Sequence, residues 1–180
     1  MIFGGKDDCY QLFIHYTDKN KNGDKIISPP QDFDLSTTGF PYTNTDIKKI
    51  CLGNDHSVIL FKDGTAIAFG DDTKFHIGTQ NRQIYKKARQ ISFGSSHQLF
   101  DNIFCGDDYT KCYQCYDGAL IYCNDECKKK SKKKSSKSDP VYKEKLISLE
   151  CRPVYISGSW EAPVAIDNNG DFYIFDSNGK

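Results

Sequence analysis

The feature that most restricts what this chain can fold into is a unit that occurs three times. The windows Ile47–Gly70, Phe100–Cys123 and Pro153–Phe175 share one order: a short apolar run, a glycine, a polar turn, a second apolar run, Asp-Gly or Asn-Gly, and a third apolar run. A unit this small cannot bury its apolar faces alone, so repetition implies stacking of one unit on the next.

The punctuation of the unit specifies its local structure. Asp63-Gly64, Asp117-Gly118 and Asn169-Gly170 each divide two strand-like runs. Such pairs tolerate the positive φ of a tight primed turn, so each predicts a β-hairpin. Gly53, Gly106 and Gly158 mark an earlier turn, where a Cβ would obstruct the backbone. The runs Val58–Phe61, Ala66–Phe69, Ala119–Tyr122 and Phe172–Phe175 are apolar without alternation. That pattern belongs to strands covered on both faces, the situation of a propeller blade held between two neighbours.

Gly64, Gly118 and Gly170 lie 54 and 52 residues apart, room for one multi-stranded blade per unit. Fourth strands are expected around Ala88–Phe93 and Leu146–Leu149. The fold class expected is all-β: a partial propeller of about three four-stranded antiparallel blades. The expected divisions are 1–45 (the end of an incomplete first unit plus a polar loop), 46–99, 100–152 with a Lys-rich insertion at 128–138, and a truncated unit at 153–180. The start fits this frame, because Met1–Gly4 parallels Ile67–Gly70, the third strand of a unit. The remaining blades are expected from a longer chain or another subunit. Pro163 cannot donate a ladder hydrogen bond within a second strand, and a bulge beside it would accommodate both the proline and the extra residue between the glycines of that unit.

At Ile50–His56, and from Asp63-Gly64 to Phe69-Gly70, the sequence resembles the regulator-of-chromosome-condensation repeat, in which Gly-x-x-His precedes an apolar strand, Asp-Gly and a strand ending in aromatic-Gly. The second unit has Tyr109 where histidine is expected and the third has Glu161. The resemblance implies a seven-bladed propeller in a chain about twice this long. It also implies a non-enzymatic protein-interaction module, a regulator or scaffold, with guanine-nucleotide exchange on a small GTPase and chromatin binding as activities known in the family. Partner contacts carried over from it fall on Asp55 and His56, on Asp107, Asp108 and Tyr109, and on Trp160 and Glu161. Asp and Asn suit turns for their own reasons, and Trp160 would fit between blades as well as it would anchor a partner. For His56 the simpler expectation is a ring that bonds to nearby backbone and holds its turn.

Charge is balanced overall, 24 basic against 24 acidic residues, but unevenly distributed. Lys128, Lys129, Lys130, Lys132, Lys133, Lys134 and Lys137 form a strip with serines and no acids. Without these lysines the body carries a net charge of −7. The strip cannot bury a core, and it lacks interleaved aromatics to stack on bases. It reads as a solvated insertion, with nucleic-acid binding as the alternative. Cys112-x2-Cys115 and Cys123-x3-Cys127 have zinc-ligand spacing, which makes a small zinc-stabilised protein the rival from another class. Strand geometry opposes it, since positions three apart face opposite sides. No cofactor is implied, and the sequence holds no phosphate-binding glycine loop, His-Glu-x-x-His or Gly-x-Ser-x-Gly. With no apolar span, no apolar leader and no Asn-x-Ser/Thr, an intracellular location is expected, cytoplasmic or nuclear.

Overall fold

Apolar runs bounded by glycine turns become antiparallel strands throughout the computed structural model, which describes residues 2–6, 26–72, 83–91, 99–106, 110–115, 120–124, 144–147, 153–158 and 163–174. The first sheet pairs β1 (Ile2–Lys6) with β2 (Ile26–Asp32). The second is a meander of β3 (Ile47–Leu52), β4 (His56–Phe61), β5 (Ala66–Asp71) and β6 (Ile84–Gln90). The third runs in the same order through β7 (Phe100–Cys105), β8 (Thr110–Cys115), β9 (Leu120–Asn124) and β10 (Glu144–Ile147). The fourth contains β11 (Pro153–Gly158), β12 (Pro163–Asp167) and β13 (Phe172–Ile174). The second, third and fourth sheets meet mainly through their first two strands, with β7 against β3 and β4, and β11 against β7 and β8. This is the partial propeller expected. No described helix is long and apolar enough to cross a membrane.

The packing explains why the central strands read as unbroken apolar runs. Every residue of β4 is buried. Val58 and Leu60 join Ala66, Ala68, Phe100, Ile103 and Cys105 between the second and third sheets. Ile59 and Phe61 join Ile67 and Phe69 on the opposite face, under Phe33 and Leu35. Each side chain fully buried in this way stabilises by about 1.5–3 kcal/mol relative to exposure. The outer strand contributes less to each layer: in β6, Tyr85 is buried in one and Ala88 in the other, while Lys86 and Lys87 are exposed.

The first strand of each full unit carries the same irregularity. Register shifts between Ile47 and Lys49, between Phe100 and Asn102, and between Pro153 and Tyr155. One residue per blade, Lys48, Asp101 and Val154 in turn, is thereby left outside the ladder, the signature of a β-bulge.

The structure revises four details of the sequence reading. The fourth strands lie at 84–90 and 144–147, beginning N-terminal to the apolar clusters, and in the first of them only Tyr85 and Ala88 are buried. The two described hairpin loops are not two-residue primed turns. Gly64 N–H donates to Phe61 O (3.0 Å), and Phe61 N–H donates to Thr65 O (2.8 Å). These bonds close a three-residue loop with Gly64 at φ +91°, and residues 167–171 repeat it with Gly170 at φ +89°. Pro163 opens β12 as its first residue, where no ladder donor is lost, and the bulge of that unit is at Val154 instead. Gly158 is not in the turn: it pairs with Pro163 as Leu52 pairs with Ser57, so the loops 159–162 and 53–56 are equally long and no extra residue needs accommodating. Asp117 and Gly118 lie outside the described residues, as do the loops 7–25 and 125–143.

Side chains reinforce the loops. Asp63 accepts from Thr65 N–H (2.9 Å) and from the Tyr42 hydroxyl (2.8 Å), while the Tyr42 ring stacks on Phe61 at 3.7 Å. In the last unit the buried Asp167 carboxylate accepts from Asn169 N–H, Asp171 N–H and the Tyr173 hydroxyl. Partial burial works against ionisation of Asp63, but its donors outweigh that and hold its carboxyl below the usual range.

Two outcomes follow. Ile59→Ala and Leu60→Ala, neighbours that fill different core layers, should each cost about 2–5 kcal/mol in urea unfolding, and a negligible loss at either would refute two-sided burial. The Asp63 bonds favour the ionised carboxyl. Their stabilisation is therefore complete above the ordinary carboxylate pKa and is lost as pH falls through the lowered value of the folded protein. Asp63→Asn should remove that part of the acid dependence of the urea midpoint.

Candidate partner-binding surface

An antiparallel meander sends alternate turns to opposite ends of each blade. One end carries the turn after β3, the turn after β7 and the loop between β11 and β12. The other carries the three-residue hairpin loops and the starts of β3, β7 and β11.

At the first end the glycines of the repeat are explained by contact. Gly53 N–H donates to His56 O (2.9 Å), closing the turn. A Cβ on Gly53 would overlap the His56 ring at Cε1, Nε2 and Nδ1, so the imidazole occupies the space that glycine leaves. Gly70, at φ +99°, lets β5 pass against the same turn: a Cβ there would overlap Asp55 O and stand 2.8 Å from His56 Cα. Asp71 N–H donates to Asp55 O at 2.8 Å. The main chain of Asp55 is thus clamped between two glycines, while Asp55 itself is half-buried.

Of the two roles expected of His56, a partner contact and a ring that holds its turn, burial favours the second. The residue is 0% exposed and presents no surface; its place is inside the turn, packed on Gly53. The turn is closed by main-chain bonds. Gly106 is buried and follows β7 as Gly53 follows β3. Asp107, Asp108, Tyr109, Trp160, Glu161 and the lysine strip 128–137 lie outside the described residues, as does Cys127. Cys112 and Cys115 occupy one uninterrupted strand, with Cys112 opposite Tyr122 and Cys123 opposite Lys111. The register puts positions 112 and 123 on different faces of that sheet, without the local turn that shared ligation would need.

The opposite end holds an arrangement that sequence reasoning missed. The bulge residues Lys48 and Asp101, 53 positions apart and equivalent in successive blades, form an ion pair at 2.6 Å. Beside them Lys49 Nζ donates to Asn102 Oδ1 (2.9 Å), which also accepts from Ile103 N–H. Cys105 N–H reaches Cys51 Sγ at 3.1 Å. Lys48, Lys49, Asp101 and Asn102, with Val154 and Asn168, border a cleft of about 620 Å³ where the three first strands converge. The ion pair is partly exposed, 38% and 30%, so it contributes little to stability by itself, about 0–1 kcal/mol. Aligning the units one beneath another would have exposed the signal, since Lys48-Lys49 then faces Asp101-Asn102.

Residues 47–75 match the regulator of chromosome condensation (RCC1) repeat. No curated protein gives a sequence match to the chain. The crystal structure of human WBSCR16 is similar with a TM-score of 0.70 at 11% identity, over 97% of this chain and 42% of that one. Yeast RCC1 (Prp20), crystallised with Kap60, gives 0.58 at 14% identity over 96% of this chain and 38% of that one. Prp20p from Saccharomyces cerevisiae, in a structure reported with its binding properties to Gsp1p and histones, gives 0.61 at 16% identity over 92% and 38%. The chain therefore spans about two fifths of the length of these solved proteins. The likeness establishes the fold, blades of the RCC1 β-propeller.

The fit between Gly53 and His56 makes a specific prediction. Gly53→Ala should destabilise the protein more than Gly170→Ala, whose added methyl meets nothing within 4 Å and faces only the unfavourable φ. Combining Gly53→Ala with His56→Ala should recover part of the loss, a coupling of about 0.5–3 kcal/mol in a double-mutant cycle.

Proposed function

We propose that this chain, whose blades are of the RCC1 type, is a non-enzymatic protein-interaction module that binds its partner with the turn end of the blades. The observation that carries the reading is the clamped turn at 53–56, which holds Asp55 on a fixed main chain instead of a loose loop. Presentation from a rigid scaffold lowers the ordering cost of binding. Asp55, Asp107, Asp108, Tyr109, Trp160 and Glu161 are the proposed contacts. Their acidic members would steer a basic partner surface, with effects mainly on association rate.

A small GTPase is the partner proposed, with nucleotide exchange as the activity. Support comes from the fold shared with Prp20p, a protein reported with binding properties to Gsp1p and histones. Exchange needs no catalytic side chain. A protein that binds the nucleotide-free GTPase more tightly than the loaded form weakens nucleotide binding by the same factor.

The test is affinity capture by the purified chain from its own cell lysate, with magnesium and nucleotide or with chelator, followed by release of a fluorescent nucleotide from any GTPase retained. Retention of a small GTPase only in the chelated sample, with accelerated release, is the expected result. A partner indifferent to nucleotide would replace exchange with scaffolding, and retention of nothing would overturn the interaction reading. Asp107→Lys combined with Asp108→Lys should slow association several-fold at low salt and less at high salt.

A further inference from the structure

Two cysteines meet where the second and third sheets pack. Residues paired across a ladder share a face, as do residues two apart on one strand. Cys51 therefore shares a face with Val58 and Ala68, and Cys105 shares one with Ile103. Both faces line the same layer: Val58, Ala68, Ile103 and Cys105 belong to one buried cluster, and Cys51 packs against it. The Cys51 sulfur lies on the main chain of β7, taking the Cys105 N–H at 3.1 Å and standing 4.0 Å from Ile103 O. One N–Cα bond further on is Cys105 Cα, which puts Cys51 Sγ within about 4.6 Å of it. Cys51 is half-buried, whereas Cys105 is 7% exposed. The pair belongs to a single joint. The repeated bulge aligns these positions with Phe104 and Gly158 at the joint between the third and fourth sheets.

We propose that Cys51 and Cys105 form a redox latch: a hydroperoxide oxidises them to a disulfide that fastens the second blade to the third, and a dithiol reductant opens it again. The bond needs Cα atoms about 4.4–6.8 Å apart, a reach that a sulfur already touching the partner strand's main chain attains by side-chain rotation. Cys51, the more accessible of the two, attacks the peroxide as its thiolate. The O–O bond breaks, water leaves, and Cys51 carries a sulfenic acid. The Cys105 sulfur then attacks the Cys51 sulfur. The S–O bond breaks, and the hydroxyl leaves as water with the proton given up by Cys105. Two thiols and one hydrogen peroxide thus become one disulfide and two waters. Burial shields Cys105 from peroxide in solution and leaves the Cys51 sulfur as its reaction partner. In a reducing compartment such a pair rests as thiols and closes on oxidation. Cys51 stands two residues before Gly53, and Cys105 immediately precedes Gly106, so the latch ties together the roots of two adjacent turns, whatever those turns bind.

The full chain, reduced and then treated with hydrogen peroxide, tests the latch after alkylation and tryptic digestion. Trypsin leaves Cys51 in peptide 50–62 and Cys105 in peptide 90–111, each with a single cysteine. The expected product is 50–62 joined to 90–111, and dithiothreitol should separate them. Closing the loop should also raise the urea midpoint of the oxidised chain above that of the reduced chain. Cys51→Ala and Cys105→Ala should each abolish the crosslink and the rise. The rise is read between oxidised and reduced samples of one variant, so a loss of stability from the substitution itself cancels. Cys112→Ala should keep both. A peroxide-treated chain without the crosslink, peptide 50–62 joined to any peptide other than 90–111, a midpoint that the crosslink leaves unchanged or lowers, a rise that persists without Cys51, or a crosslink that requires Cys112 would each overturn the proposal.

Discussion

Val58 and Leu60 point into the space between two sheets while their neighbours Ile59 and Phe61 point into the space behind, and this alternation is the constraint on which the rest of the structure depends. A strand apolar at every position has no face for water, so a sheet built on it is stable only between two others. Stacking follows from this, and stacking fixes the end-to-end arrangement of turns. Among the described residues the three-residue hairpin loops fall at one end and the glycine turn at 53–56 at the other. The surface from which partners would be met is thus a by-product of how the core is filled.

The glycines act at a second level. Gly53 makes room for the His56 ring, and Gly70 makes room for the backbone of Asp55 and His56. Two absent side chains allow two segments to approach closely, and main-chain bonds then hold the turn without help from any ligand. Spending the histidine inside the turn removes it from the binding surface. This is why a position that stands out in the repeat grammar is structural while its less distinctive neighbour Asp55 remains accessible.

Much of this was legible in the sequence. The apolar runs in 58–61 and 66–69, the Asp-Gly at 63–64 and the repetition at 100 and 153 sufficed for the strands, the hairpins and the stacked sheets. The misreadings have separate causes. The outer strand Ile84–Gln90 buries only Tyr85 and Ala88, so its apolar signal is diluted by Lys86 and Lys87 and its limits fall earlier than the apolar cluster suggests. Gly158 has the residue type of the turn glycine but the register position of Leu52, which residue type alone does not reveal. The Lys48–Asp101 pair was missed because its logic runs between blades, at a separation no local window spans.

The repeated bulge also has a mechanical consequence. A residue left out of its own ladder is free to link sheets, and Lys48 with Asp101 and Lys49 with Asn102 place two polar struts between the second and third blades. At the corresponding positions of the fourth blade stand Val154 and Tyr155, which carry no charge to continue the series. The stack is therefore braced unevenly. It is stiffened against twisting where these two struts cross between the second and third blades.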